Sequence, residues 1–303
     1  MPLFFLVAGF LFNYTKYSRD FCGFVKKKFK RLAVPYLVGS LVIFYPFWYF
    51  LGRHYGEAAV KHADPLTQFI GVFYATGIDY WMQFNLPPWF LNCMFVSLVV
   101  CWGIHRLAGG NDTKLVVLTL LASALGYGIS FVVLLPWSID IALAIQVFML
   151  AGLYLRRFDF TSNWWWLAVL PLAAALALNG RIDTASRHYA NIFLYYIGGI
   201  AGTILMMKIS AAIDRLMSGS TFERFLTYCG RNSLMILMFQ SMGFKVASVV
   251  FVFGLKQSLQ VAHTYWPVYD CTALAFCCAV IWLKQKLDAR MVRYAWWNRF
   301  FMW

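Results

Sequence analysis

Residues 135–155 read LPWSIDIALAIQVFMLAGLYL. From Trp137 to Leu155 the only charged residue is Asp140, and Arg156-Arg157 closes the run. A helix rises about 1.5 Å per residue, so this run is long enough to cross the ~30 Å hydrocarbon core of a bilayer. Pro136 parts it from a second apolar run, 115–134, with almost no loop between them. Lipid offers no partner to an open backbone N–H or C=O, so spanning segments are helices or strands of a closed barrel. Barrel strands are short and alternate apolar with polar residues. These runs are continuous, and the chain is expected to be an all-α polytopic membrane protein.

Composition agrees. Of 303 residues, 62% are hydrophobic and 13% charged, against about a quarter charged in an ordinary soluble domain. The apolar pattern places helices near 1–14, 32–51, 88–104, 115–134, 137–155, 163–179, 190–209, 232–254 and 268–283. That is about nine transmembrane helices in one membrane-embedded domain, 1–303, with a basic tail at 284–303. Pro87-Pro88 suits a helix start, and Asn179-Gly180 suits an end. Residues 52–87 form the one long connection. Their Leu66–Ala75 portion is apolar but short, and reads as an interfacial or re-entrant piece. No repeat, linker or signal peptide is visible.

The net charge of +14 could point to nucleic acid, but the charge is arranged by loop. Twenty of the 26 lysines and arginines fall on one side of the expected topology and five on the other (Arg53, Lys61, Arg181, Arg187 and Lys256), with Lys245 inside a span. By the positive-inside rule the rich side, with the C-terminus, is cytoplasmic, and no nucleic-acid partner is expected. The seven cysteines show no paired spacing and mostly sit in apolar runs. They read as free thiols rather than disulfides or zinc ligands.

The opening MPLFFLVAGFLF is apolar from its first residue, yet a basic segment begins after about Tyr14. Alone it is too short to span. Nine helices and an inside C-terminus put Met1 outside on a stub helix. One more helix upstream makes ten, with both ends inside. The expectation is that the chain lacks a first span and part of its second.

Specific residues then matter. Met1-Pro2-Leu3-Phe4-Phe5 with Gly9-Phe10-Leu11-Phe12 resembles the second-helix motif of the membrane acyltransferase-3 family. Lys26–Tyr36 (KKKFKRLAVPY) resembles its basic run ending in Arg-Leu, two residues, Pro-Tyr. Pro88-Trp89-Phe90-Leu91 resembles its Pro-Leu-Trp-Phe-Leu segment, and Gly230-Arg231-Asn232-Ser233-Leu234 its late Gly-Arg-Asn-Ser-Leu motif. Leu135–Leu155 is similar to the corresponding helix of the sugar O-acetylase-like branch. Five motifs in order cover most of the chain.

The resemblance implies transfer of an acyl group, commonly acetyl, from a cytoplasmic donor such as acetyl-CoA to a hydroxyl of a sugar or cell-surface glycan. It implies the bacterial cytoplasmic membrane, acyl-CoA as co-substrate with no tightly bound cofactor, and a glycan or lipid-linked sugar as acceptor. It also implies an Arg, ten residues, His motif in the first helix, that His being the base, and a second-helix His just before the Met-Pro-Leu motif. A further His often stands where this chain has Gln240. None of the three is present, so no catalytic residue is assigned. As given, the chain is expected to be inactive.

Lys28 and Arg31 sit three apart and share a helix face. Ammonium and guanidinium groups suit the phosphates of coenzyme A, and by resemblance they match the basic pair that meets the donor. Lys26, Lys27 and Lys30 read as anchors to anionic lipid. Ionisable groups in a membrane are costly and face a cavity or a partner. Asp140 and Lys245 reach similar depth, so they either pair across an acceptor cavity or act separately, Asp140 as a helix cap and Lys245 snorkelling. Asn92, Gln146, Asn232 and Gln240 suit inter-helix hydrogen bonds. Gln240 could orient a hydroxyl but cannot act as its base. Trp89 could pack on a sugar or serve as an interfacial anchor. The acceptor candidates are therefore Trp89, Asn92, Asp140, Asn232, Gln240 and Lys245. His54, His62, His105, His188 and His263 read as loop residues without metal-ligand spacing, so no metal is expected. A small-solute transporter or a catalytically dead membrane scaffold are the alternatives. No inverted repeat or pair of broken helices favours the former, whereas the absent histidines permit the latter.

Overall fold

The computed structural model describes residues 1–53, 62–76, 78, 81–157, 163–254, 256, 264–291 and 293. Among them the regular secondary structure is helical, apart from one isolated antiparallel bridge between Asp183 and His188. His54, Lys61, His263, Arg299 and the tail past Arg293 lie outside the described residues.

In chain order the helices are α1 (Pro2–Phe10), α2 (Phe21–Val38), α3 (Pro65–Tyr74), α4 (Trp89–Ala108), α5 (Asp112–Ile129), α6 (Ile139–Ala144) and α7 (Gln146–Leu155). They continue with α8 (Val169–Leu178), α9 (Ile192–Leu216), α10 (Thr221–Arg231), α11 (Ser233–Val249) and α12 (Trp266–Met291). A single helical turn, Tyr14–Tyr17, joins α1 to α2, and wide π turns at Gly39–Phe44 and Trp48–Gly52 extend α2. Length and hydropathy support five crossings among the described residues: Phe21–Phe50, α4, α5, α9 and α12. The bent pair Pro136–Ala144 and α7 makes six, while Trp166–Leu178 and α11 are shorter apolar helices. Among the described residues the expected count of about nine crossings is not confirmed.

Three departures from the expected pattern have local causes. First, the basic residues 26–31 are not a loop ahead of a helix at 32. Asp20 accepts from Gly23 N at 2.8 Å and starts α2 at Phe21, so all five cations ride on the helix. Second, the run 137–155 is not one rod. It breaks at Ile145 with a 53° bend. Gln146 Nε2 donates to Ala142 O at 2.7 Å and to Ser97 O of α4 at 3.2 Å, and Tyr196 donates to Ala144 O at 2.6 Å. Side chains thus take up carbonyls that the broken ladder releases. Third, α10 was not foreseen. Ser220 caps it by accepting from Glu223 N at 3.1 Å. Its Phe222, Phe225 and Leu226 are exposed.

α4 is the hub. Its most apolar window is 56% buried against other helices, while that of α12 is 17% buried. α1 lies tightly along α7 because both carry glycine at the crossing. A Cβ on Gly9 would overlap the Met149 carbonyl, and one on Gly152 would overlap the Leu6 carbonyl. Small residues let helix backbones approach closely where no hydrophobic force separates protein from lipid.

Candidate functional site

A cavity of about 620 Å³ opens between α1, α2, α4 and α11. Helical spacing explains its walls. From α1 come Phe4, Val7, Ala8 and Leu11, the side of that helix turned away from Gly9 and α7. From α2 come Phe24, Lys28, Arg31 and Leu32, at i, i+4, i+7 and i+8. From α4 come Phe90, Leu91, Met94 and Leu98, and from α11 Ser233, Leu234 and Leu237. Four of the five quoted motifs therefore meet at one place. The fifth, Leu135–Leu155, supplies α7, the buttress behind α1.

The lining is apolar except around the turn after α1, where three cations gather: Lys16, Lys28 and Arg31. Asn13 holds that turn by accepting from Lys16 N at 3.1 Å. The Lys28 ammonium stands 5.9 Å from the Phe24 ring centroid. Lys26, Lys27 and Lys30 are exposed and do not line the cavity. Lys27 instead lies 5.9 Å from the Tyr17 ring centroid, and its hydrogen bond holds the Tyr17 phenol below its ordinary pKa. Lys28 and Arg31 thus line the cavity, and Lys26, Lys27 and Lys30 do not. Lys16 was missed, because on a four-residue turn it has no periodicity to mark it. Among the described residues no histidine or carboxylate lines this cavity.

The acceptor candidates do not collect around the same space, for none of the six lines this cavity. Trp89 is buried in the helical core and meets Phe90 edge-on. Asn92 is fully buried, and both its amide atoms lack a hydrogen-bond partner. Asn232 Nδ2 donates back to Tyr228 O at 2.8 Å, next to the cavity residue Ser233. Gln240 is half-buried on α11.

Asp140 and Lys245 do not pair. Lys245 Nζ donates to Phe84 O at 3.3 Å. Asp140 accepts two bonds from Arg187, Nε to Oδ2 at 2.8 Å and Nη2 to Oδ1 at 3.2 Å, with both side chains almost wholly buried. Nor does Asp140 cap its helix; Ser138 is the N-cap and makes no side-chain bond. The loop before α9 explains the change of partner. Asp183 and His188 bridge, and the Asp183 carboxylate accepts from Ala185 N and Ser186 N, which closes a tight turn. Arg187 then adopts φ 58° and Arg187 Nη1 donates to Ala185 O. A non-glycine residue in that region costs about 1–2 kcal/mol. The forked guanidinium fits a carboxylate with two parallel bonds, which an ammonium cannot do. Beside the pair, Thr184 and Tyr195 share a hydroxyl–hydroxyl bond of 3.1 Å, and burial pushes the Tyr189 phenol pKa up. Sequence reasoning set Arg187 aside as a loop charge; its only signal was that few basic residues fall on that side.

His105 is also corrected. α4 runs on to Ala108, so His105 sits in the last helical turn, half-buried, with its ring against Phe12 and Tyr14. All seven cysteines are free, with Cys93, Cys101 and Cys277 buried.

Residues 1–282 match the model of the family described as an acyltransferase domain, the acyltransferase-3 family. No curated protein and no solved structure matches the chain. The match spans most of the sequence, so the chain belongs to that family.

Proposed function

We propose, with membership of the acyltransferase-3 family as the premise, that this protein moves an acyl group from an acyl-CoA thioester to a hydroxyl of a sugar or cell-surface glycan. It does so from the bacterial cytoplasmic membrane, with the C-terminus and the basic end of the bundle facing the cytoplasm. In such a transfer the hydroxyl oxygen attacks the thioester carbonyl, the C–S bond breaks, and the thiolate leaves to take up a proton. The hydroxyl proton goes to a base.

The observation that carries this reading is the shared cavity. A thioester donor is anionic at its phosphates and apolar towards its acyl end. The cavity has the same order, with Lys16, Lys28 and Arg31 at one end and leucine, methionine and phenylalanine along the rest. Charge-assisted hydrogen bonds to phosphate are about twice as strong as neutral ones. With no histidine or carboxylate in the lining, these residues account for holding the donor and not for deprotonating the acceptor.

The test is equilibrium binding of radiolabelled acetyl-CoA to the purified full chain in lipid nanodiscs. Lys28→Ala with Arg31→Ala is expected to weaken binding by at least about tenfold, the scale of one lost charged hydrogen bond. Lys30→Ala is expected to leave it unchanged. If the double variant binds as the unaltered chain does, the reading fails.

A further inference from the structure

His105 is a titratable side chain that the donor cavity does not use, yet it lines two more cavities. One, of about 330 Å³, has Leu153, Tyr154, Arg156 and Arg157 in its wall. The other, of about 320 Å³, has Asn111, Asp112, Arg156 and Arg157, and also Phe12 and Asn13. Phe12 and Asn13 line the large cavity as well. The second of these spaces therefore shares two wall residues with the donor cavity.

The polar groups of this annex have a definite chemistry. A carbonyl oxygen can only accept, so the 2.9 Å contact between His105 Nδ1 and Cys101 O places the proton on Nδ1. Stacking on Tyr14, with centroids 5.4 Å apart, holds the ring in place. The atom left for a ligand is Nε2, an acceptor that suits a hydroxyl. Arg156 is exposed and makes no ion pair among the described residues. Arg157 is bonded to Asp112 at 2.9 and 3.2 Å, but both side chains are more than half exposed, so that pair exchanges readily. Two guanidinium groups beside one neutral acceptor match a phosphate monoester with a hydroxyl on the adjacent carbon.

We infer that this annex binds the ribose 3′-phosphate of the donor, the Arg156 guanidinium meeting the phosphate and His105 Nε2 accepting from the 2′-hydroxyl. Lys28 and Arg31 then meet the diphosphate, and the thioester arm runs along the apolar wall. The inference rests on the acyl-CoA reading above and adds where the nucleotide end lies.

The test compares acetyl-CoA with its 3′-dephospho analogue on the full chain in nanodiscs, a ligand-side change that cannot disturb folding. The unaltered chain is expected to prefer acetyl-CoA by about tenfold, one charge-assisted contact. Arg156→Ala is expected to abolish that preference by weakening acetyl-CoA alone. Lys28→Ala with Arg31→Ala is expected to weaken both ligands and keep their ratio. Equimolar inorganic phosphate is expected not to displace acetyl-CoA; displacement by it overturns the assignment to a nucleotide. Equal affinity for both thioesters, or a preference that survives Arg156→Ala, overturns the annex while the donor reading stands. Binding of neither thioester overturns both.

Discussion

Two aspartate–arginine pairs stand at opposite ends of the bundle with nearly the same geometry. Asp140–Arg187 closes at 2.8 Å and Asp112–Arg157 at 2.9 Å. Their surroundings differ completely. The first pair is 3% and 0% exposed, the second 59% and 58%. Out of water, each unpaired charge carries a desolvation penalty of several kcal/mol, so the buried partners are bound to one another. In water the same contact is worth little, and either partner can turn to a ligand. Distance alone therefore does not say which charged cluster is structural. The degree of burial does, 3% and 0% exposed against 59% and 58%.

The sharpest way to break this contrast is to remove one member of the buried pair. Arg187→Met leaves Asp140 buried and uncompensated. It is expected to cost about 3–5 kcal/mol, read as a large fall in the unfolding midpoint of the purified protein. Replacing both, with Asp140→Leu added, is expected to recover most of that loss. A double variant no more stable than the single one would show that the pair is not acting as a unit. Next in size is Gly152→Leu, which drives a side chain into the Leu6 carbonyl. Overpacking at such a crossing is expected to cost about 1–3 kcal/mol, and because α1 also walls the cavity, acetyl-CoA binding is expected to fall with stability. At the other end the two readouts separate. Lys28→Ala with Arg31→Ala is expected to lower acetyl-CoA affinity by about tenfold with an unmoved unfolding midpoint. Smallest of all is Asp112→Asn. It is expected to leave stability unchanged and to tighten acetyl-CoA slightly, since Arg157 is then released from its exposed partner. A clear drop in the midpoint would remove the distinction between the two ends.

What the sequence disclosed follows from how far apart the interacting residues lie along it. The all-α membrane class and the common face of Lys28 and Arg31 depend on short-range periodicity, and both are present in the structure, whereas several helix bounds moved. The Asp140–Arg187 pair joins residues 47 apart, and no local spacing records such a contact. Asp140 reads either as a partner of Lys245, on depth alone, or as a helix cap, and both readings leave out the loop turn that aims Arg187 inwards. The break at Ile145 was equally hidden: 137–155 reads as one apolar run, and only the tertiary partners of Gln146 and Ala144 reveal where the ladder opens. His105 was misplaced for a simpler reason. Apolar residues thin out before α4 ends, so a boundary drawn on hydropathy stops a turn early.

The glycine crossing of α1 and α7 carries one more consequence. With Gly9 and Gly152 each seated on the opposite backbone, neither position has room for a Cβ, so α1 and α7 pack backbone to backbone. On that side the cavity wall is backed by a close backbone crossing. The continuation of α2 is packed differently: it widens into π turns at Gly39–Phe44, and the space at Gly39 is filled by the Met238 methyl, a flexible side-chain end rather than another backbone.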